Sequence, residues 1–129
     1  MWRSKGDNHK ETRGERAERS AERWLLEQGL RVIERNYRCK AGEIDLVMRE
    51  GETVVFVEVR YRKQHGFGSG IESVDWRKQK KLLLAARHFL VSRKQYADMP
   101  CRFDVMAASP AKNDGKALTW QHIENAFGL

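Results

Sequence analysis

Residues 42–62 read GEIDLVMREGETVVFVEVRYR, and this stretch specifies the centre of the fold. Two runs rich in Val, Ile and Phe, residues 43–49 and 53–60, flank the Gly51-Glu52 pair, and this pattern predicts two strands joined by a tight hairpin. The second run is apolar at both alternating sets of positions: Val54 and Phe56, and Val55, Val57 and Val59. Because a half-buried strand is apolar on one face only, this run predicts a central strand covered on both faces.

Two acidic residues lie inside these apolar runs, Asp45 in the first and Glu58 in the second. A carboxylate in such a strand costs free energy unless a partner satisfies it. If Gly51-Glu52 forms a two-residue loop, counting along both strands places Asp45 directly opposite Glu58, with Cβ atoms about 4.5–5.5 Å apart. A slip of one residue in the register would put the two side chains on opposite faces. Glu43 shares the strand parity of Asp45 and is interpreted as a solvated acid.

Two carboxylates so placed repel each other, and a divalent cation between them would remove the repulsion. Mg²⁺ is normally held by one or two carboxylates together with waters and substrate phosphate, so Asp45 and Glu58 suffice for Mg²⁺ or Mn²⁺. Such an ion polarises a phosphoryl oxygen and lowers the pKa of a bound water, as phosphodiester hydrolysis requires. The alternative is a pair of unrelated edge acids, or acids paired with Arg60 and Arg62. Arg60 has an electrostatic role, because a guanidinium that stays protonated cannot act as a base.

Composition narrows the class of protein. The chain has 129 residues, 33% of them charged, and a formal net charge of +7, which fits one domain with a polyanionic partner. Basicity kept for solubility is the alternative. No apolar run approaches the roughly 18 residues of a membrane span, and no secretory segment precedes Trp24, so we expect a cytoplasmic protein. Cys39 and Cys101 are predicted to be free thiols, although pairing between them stays open.

Outside the hairpin, periodicity predicts a mixed α/β fold. The elements are an amphipathic helix over 11–28 with Gly29 as its C-cap, a short strand beginning at 30–33, a glycine-containing loop over 61–73, a basic helix over 75–94, and strands over 101–107 and, at the sheet edge, 118–123. This order predicts a small mixed β-sheet flanked by α-helices.

Cations gather at the end of the second strand, on the loop and on the basic helix: Arg60, Arg62, Lys63, Arg77, Lys78, Lys80 and Lys81. The cluster predicts a nucleic-acid-binding face, with DNA favoured over RNA, and the alternative is an ordinary solvated helix face. His65 and Phe67 in the loop are either base-stacking groups or incidental.

Three segments carry a resemblance to a known family. They are Gly42-Glu43-Ile44-Asp45-Leu46, Val55-Phe56-Val57-Glu58-Val59-Arg60-Tyr61-Arg62 and Cys101-Arg102-Phe103-Asp104-Val105. Together, within a match over residues 14–105, they resemble the YraN family of predicted bacterial endonucleases, which is distantly similar to archaeal Holliday-junction resolvases. Asp45, followed after a hairpin by Glu58-Val59-Arg60, also resembles the PD-(D/E)xK nuclease signature.

The resemblance implies a restriction-endonuclease-like core with Asp45 and Glu58 as metal ligands. It also implies a metal-binding and catalytic role for Glu15, which matches the helical acid that resolvase-like nucleases add to their metal site. Arg60 stands where the signature usually has lysine, and Lys78 is a candidate replacement. Asp104 is interpreted as structural or as a salt-bridge partner.

The leading hypothesis is a Mg²⁺- or Mn²⁺-dependent endonuclease acting on DNA, with branched or otherwise structured DNA among its substrates. Asp45, Glu58, Glu15 and Arg60 would carry the catalysis. The alternatives are a non-catalytic nucleic-acid-binding module on the same fold and a protein-interaction adaptor whose basicity is incidental. A homodimer is expected by analogy with resolvases, which cut two strands symmetrically. Residues 1–10 are predicted to form a flexible N-terminal segment, and residues 11–129 a single nuclease-like domain.

Overall fold

The computed structural model describes residues 11–61, 74–110 and 118–128. Within these ranges the chain forms the helices α1 (Arg13–Glu27) and α2 (Trp76–Ser92), a 3₁₀ turn (Lys94–Tyr96), and the strands β1 (Arg31–Cys39), β2 (Gly42–Glu50), β3 (Thr53–Tyr61), β4 (Cys101–Pro110) and β5 (Leu118–Phe127). The predictions made for residues 1–10, Arg62, Lys63, His65 and Phe67 lie outside the described residues.

The strands lie in one five-stranded sheet in the order β1-β2-β3-β4-β5. β3 and β4 pair in parallel, and the other neighbouring strands pair antiparallel. Parallel neighbours need a long crossover connection, and α2 lies within the one between β3 and β4. The predicted α/β fold with a small mixed sheet is confirmed, and β5 lies at the sheet edge as expected.

The predicted hairpin register is confirmed over five residue pairs, from Glu50 opposite Thr53 to Leu46 opposite Val57. Gly51 has φ +57°, a left-handed conformation that L side chains rarely adopt, and this explains glycine at the first loop position.

The sheet separates two apolar cores, because β3 buries both of its faces as its sequence predicted. The α1-side core consists of Ala21, Leu25, Leu30, Leu46, Met48, Val55, Val57 and Met106. The α2-side core consists of Tyr37, Ile44, Val47, Val54, Phe56, Val74, Leu82, Ala85, Ala86, Phe89, Phe103 and Val105. One helix therefore covers each face of the sheet, with the hairpin strands between them.

Each helix begins at a side-chain cap. Thr12 and Glu15 form a capping box at α1: the Glu15 amide donates to Thr12 Oγ1 at 3.0 Å, and the Thr12 amide donates to Glu15 Oε1 at 2.8 Å. Asp75 caps α2, accepting from the Lys78 amide at 3.0 Å. The predicted C-terminal glycine of α1, Gly29, has φ +99°.

Two further predictions concern the cysteines and membrane-spanning helices. Cys39 and Cys101 are free thiols. Across the described residues, neither helix combines the length and apolarity that crossing a membrane requires.

Candidate metal and nucleic-acid site

Strand β2 changes its side-chain alternation at Asp45. Ile44 packs in the α2-side core and Leu46 in the α1-side core, although residues two apart in a regular strand share a face. On the neighbouring strand, Asn36 has φ +49°, which is also irregular. The Val59 amide donates to Asp45 Oδ2 at 2.8 Å. The Asp45 carboxylate is thus directed towards β3, one position beyond the last paired residues of the hairpin.

The structure brings Asp45 and Glu58 together, although the hairpin pairing itself ends at Leu46 opposite Val57. Glu58 is only 4% exposed, and its Oε1 is buried without a hydrogen bond from an amide, hydroxyl or cationic group of the described residues. Burial, followed by the negative charge of Glu58, raises the pKa of Asp45 to about 8. Burial also raises the pKa of Glu58, although Lys78 and Arg60 oppose the shift. Two carboxyls held this way share a proton or bind a cation.

Two cations approach the same oxygen of Glu58. Arg60 Nη1 lies 3.2 Å from Glu58 Oε2, and Lys78 Nζ lies 3.6 Å from it. Lys78 is half-buried on the first turn of α2, so the basic helix delivers an ammonium group to the carboxylate pair. The other oxygen, Oε1, has neither cation as a partner.

The acid of α1 whose charge acts on Asp45 is Glu18. Its charge, with that of Glu43, raises the pKa of Asp45. Asn36 Nδ2 lies between these two acids, donating to Glu18 Oε1 at 3.0 Å and to Glu43 Oε2 at 3.3 Å. Glu18 is half-buried, whereas Glu15 is exposed and accepts the capping-box hydrogen bond. Sequence analysis missed Glu18, although its position three residues before Ala21 and seven before Leu25 places it on the buried stripe of α1.

The described side chains contain no group of three or more His, Cys, Asp or Glu residues arranged to hold a metal ion. The structure therefore unites Asp45 with Glu58 but adds neither Glu15 nor Glu18 to them as a third close acid. A cavity of about 620 Å³ lies along α1 and β1 and is lined by both Glu15 and Glu18.

The model of the family described as "Uncharacterised protein family UPF0102" matches residues 17–108, which include Asp45, Glu58, Arg60 and Lys78. The chain belongs to the UPF0102 family. A UPF0102 protein of Pseudomonas syringae pv. tomato is 53% identical over 116 residues, covering 88% of this chain and 91% of the relative. A UPF0102 protein of Pseudomonas entomophila is 54% identical over 114 residues, with the same coverage of each chain. One from Alcanivorax borkumensis is 45% identical over 118 residues, covering 92% of this chain and 93% of the relative. The YraN resemblance is thereby confirmed at the level of the family.

Among the described residues, the remaining predicted nucleic-acid-binding residues of this UPF0102 protein lie on α2. Arg77, Lys80 and Lys81 are exposed on that helix, while Lys78 faces Glu58. α2 contains no acidic residue along its 17 positions. The basic helix of this UPF0102 protein thus borders the carboxylate pair and presents cations to solvent.

Asp104 is a salt-bridge partner, which was one of its two predicted roles. It is fully buried and accepts hydrogen bonds from Arg102 Nε at 3.0 Å, His122 Nε2 at 2.8 Å and the Asn125 amide at 2.9 Å. Sequence analysis found no role for His122, which is distant from Asp104 along the chain. Because β5 pairs with β4, the two side chains meet across the sheet edge of this UPF0102 protein. This network ties β5 to the fold and does not touch the carboxylate pair.

The raised pKa of Asp45 predicts how stability depends on pH. Between its ordinary value of 3.8 and about 8, the folded protein keeps a proton that the unfolded chain releases. The stability that this group contributes is therefore complete at low pH and is lost as pH rises towards 8. In EDTA, the urea midpoint of the wild type is expected to fall more steeply from about pH 5 to 8 than that of Asp45→Asn. Parallel curves for the two proteins would contradict the raised pKa of Asp45.

Proposed function

We propose that this protein is a metal-dependent endonuclease that hydrolyses DNA phosphodiester bonds, including those of branched or otherwise structured DNA. The observation that carries the proposal is the pair formed by half-buried Asp45 and buried Glu58, in which Glu58 Oε1 receives no hydrogen bond from an amide, hydroxyl or cationic group of the described residues. Buried polar atoms without partners are rare in proteins, and an ion is a common explanation of one.

The donor set fits a hard divalent cation, because carboxylate oxygens are the ligands that Mg²⁺ and Mn²⁺ prefer. When bound, Mg²⁺ or Mn²⁺ supplies Lewis acidity to the scissile phosphate and lowers the pKa of a water. Asp45 and Glu58 would hold the ion. Glu15 remains the helical ligand that the resemblance implies, and Glu18 is the alternative that the electrostatics of Asp45 favour.

The cations beside Glu58 have distinct roles in this proposal. Arg60 can bind phosphate oxygens through two parallel hydrogen bonds and so stabilise the charge that develops during cleavage. Lys78, on α2, places an ammonium group at the site, with its Nζ 3.6 Å from Glu58 Oε2. An ammonium group differs chemically from the guanidinium that Arg60 contributes from the strand. Arg77, Lys80 and Lys81, together with Arg62 and Lys63, would bind the DNA backbone. The restriction-endonuclease-like relationship is supported by a mixed sheet with one helix on each face.

A second candidate function is a nucleic-acid-binding module without turnover. The observation that favours it is Arg60 itself, because Arg60 occupies the strand position where the signature usually has lysine and pairs with Glu58 at 3.2 Å. A guanidinium cannot give up a proton to act as a base. In either function, the acting form is proposed to be a homodimer in the cytoplasm.

The proposal is tested by incubating the full-length protein with Mg²⁺ or Mn²⁺ and labelled linear, flapped and four-way DNA. The expected result is cleavage of at least one substrate, with none in EDTA. Binding that weakens steeply with salt, without cleavage of any substrate, would replace the nuclease with the binding module. DNA binding that is absent or insensitive to salt would overturn both functions.

A further inference from the structure

Trp76 is a large aromatic side chain that the fold leaves in solvent. It occupies the first position of α2 and is 67% exposed, compared with 45% for Leu26 and 42% for Leu84. Its ring has the guanidinium of Arg77 5.9 Å from the centroid. An indole is apolar over most of its surface, so this exposure forgoes the free energy of burial and leaves an aromatic face accessible.

The position of Trp76 relates it to the carboxylate pair. It precedes Lys78 by two residues, and Lys78 Nζ reaches Glu58 Oε2. Residues two apart on a helix lie about 200° apart around the axis and about 3 Å apart along it. Lys78 therefore points inwards to the carboxylates from the same turn of helix on which Trp76 points outwards. A DNA strand that wraps around the start of α2 would place one nucleotide near the pair and another of the same strand near the indole.

The charge around Trp76 selects among possible occupants. Arg77 follows Trp76 directly and Lys80 lies one helical turn after it, and both are exposed. The residue before Trp76 is the N-cap Asp75, whose carboxylate accepts from the Lys78 amide. All the charged residues of α2 are cationic. Leu84 and Val91 are exposed apolar residues on the outer side of the helix, and the cationic Arg87 lies between them. This surface is therefore suited to a polyanion that also offers flat apolar faces. Nucleic acid combines these two properties.

We propose that Trp76 stacks on an unpaired base of the DNA strand whose phosphate binds Lys78 beside the Asp45–Glu58 pair. Stacking needs an accessible base face, which single strands, ends and junctions offer and the interior of a duplex does not. Trp76 therefore directs the protein to DNA with unpaired bases, whatever their sequence, since every base has an aromatic face. This inference rests on the proposed function, because it assumes that DNA binds along α2.

The experiment compares the full-length wild type with Trp76→Ala, Trp76→Phe and Leu84→Ala. Binding is measured by fluorescence anisotropy in EDTA, which prevents metal-dependent cleavage, using a labelled single strand and the blunt duplex of the same sequence. Trp76→Ala is expected to weaken single-strand binding by about 10-fold or more and duplex binding by less than about 2-fold. Trp76→Phe keeps an aromatic face and is expected to restore most of the loss. Leu84→Ala, which removes another exposed apolar side chain of α2, is expected to resemble the wild type.

The salt dependence separates stacking from charge. The slope of log K against log salt is expected to be the same for Trp76→Ala and the wild type, because no phosphate contact is removed. Equal losses on single strand and duplex, or no loss on either, would overturn the inference.

Sedimentation provides a further check: a wild-type dimer that becomes a monomer in Trp76→Ala would assign the side chain to self-association instead. If Trp76→Ala binds like the wild type while cleavage persists, the stacking role fails and the nuclease proposal stands. If the wild type binds neither DNA, both fail.

Discussion

Asp45→Asn and Glu58→Gln are each expected to weaken Mn²⁺ binding by more than about 100-fold and to abolish metal-dependent cleavage of DNA. Removing only an outer-shell partner of a metal ligand already costs about 10- to 100-fold, and these two residues are proposed as the ligands themselves. Both substitutions keep the size of the side chain. The amide oxygen of Asp45→Asn can still accept the hydrogen bond that the Val59 amide makes to Asp45 at 2.8 Å, so the fold is expected to persist.

Calorimetric titration of Mn²⁺, in parallel with a cleavage assay, measures both effects. Glu52→Gln is the matched control, since Glu52 lies in the same hairpin with its side chain 83% exposed and is not part of the pair. Wild-type affinity in Asp45→Asn would remove the metal site from the proposal. If metal binds tightly only when DNA is present, the titration is repeated with uncleaved DNA, because the substrate phosphate completes a Mg²⁺-type site. The Mn²⁺ affinities of the variants are then expected to follow the same order.

Asp104→Ala is expected to produce the largest loss of stability, about 3–5 kcal/mol of unfolding free energy. The substitution removes the carboxylate that Arg102, His122 and the Asn125 amide share. Arg102, whose side chain is only 17% exposed, keeps its ion pair with Glu50 at 2.8 Å, but His122 and the Asn125 amide lose their acceptor. Buried donors that lose their acceptor cost more free energy than the hydrogen bonds contributed. The two strands that this carboxylate joins, β4 and β5, should separate more easily.

Urea unfolding of Asp104→Ala and Glu124→Ala provides the comparison. Glu124 also lies near Arg102, but at 3.7 Å and with its side chain 61% exposed, so its removal is expected to change the unfolding free energy by less than about 0.5 kcal/mol. A similar, small effect of both substitutions would show that the network does not stabilise the sheet edge.

Asp104 also gives the opposite pH dependence to Asp45. Burial alone would raise the pKa of Asp104, but the hydrogen bonds from His122, Arg102 and the Asn125 amide outweigh burial and hold it below its ordinary value. The stability that Asp104 contributes is therefore complete above its unfolded pKa and is lost as pH falls through the folded one. Asp45 thus makes the stability of the fold decrease as pH rises, and Asp104 makes it decrease as pH falls.

Much of the fold was predictable because its signals are local. The hairpin depends on Gly51 at a left-handed position, and the burial of β3 follows from apolar residues at both parities, so both could be deduced from neighbouring residues. The helix starts at Thr12 and Asp75 follow from capping chemistry, which also acts over a few residues. Asp45 and Glu58 could be paired for the same reason, since one tight turn connects their strands.

The rest of the site required contacts between elements that are distant in the sequence. Glu18 and Asn36 approach Asp45 only because α1 and β1 pack beside β2, and Lys78 reaches Glu58 only because α2 returns across the sheet. The choice between Glu15 and Glu18 depends on how α1 is rotated about its axis, which packing against the sheet sets.

Short stretches of the chain therefore specify the hairpin, the order of the elements and the placement of two carboxylates side by side, because turn geometry and side-chain alternation are local properties. Long-range packing alone determines which cations and which helical acid lie near that pair. It also determines that the alternation of β2 changes at Asp45 and that Trp76 stays in solvent. Those features depend on how α1 and α2 pack against opposite faces of one sheet, and the free energy of that packing is shared over both cores.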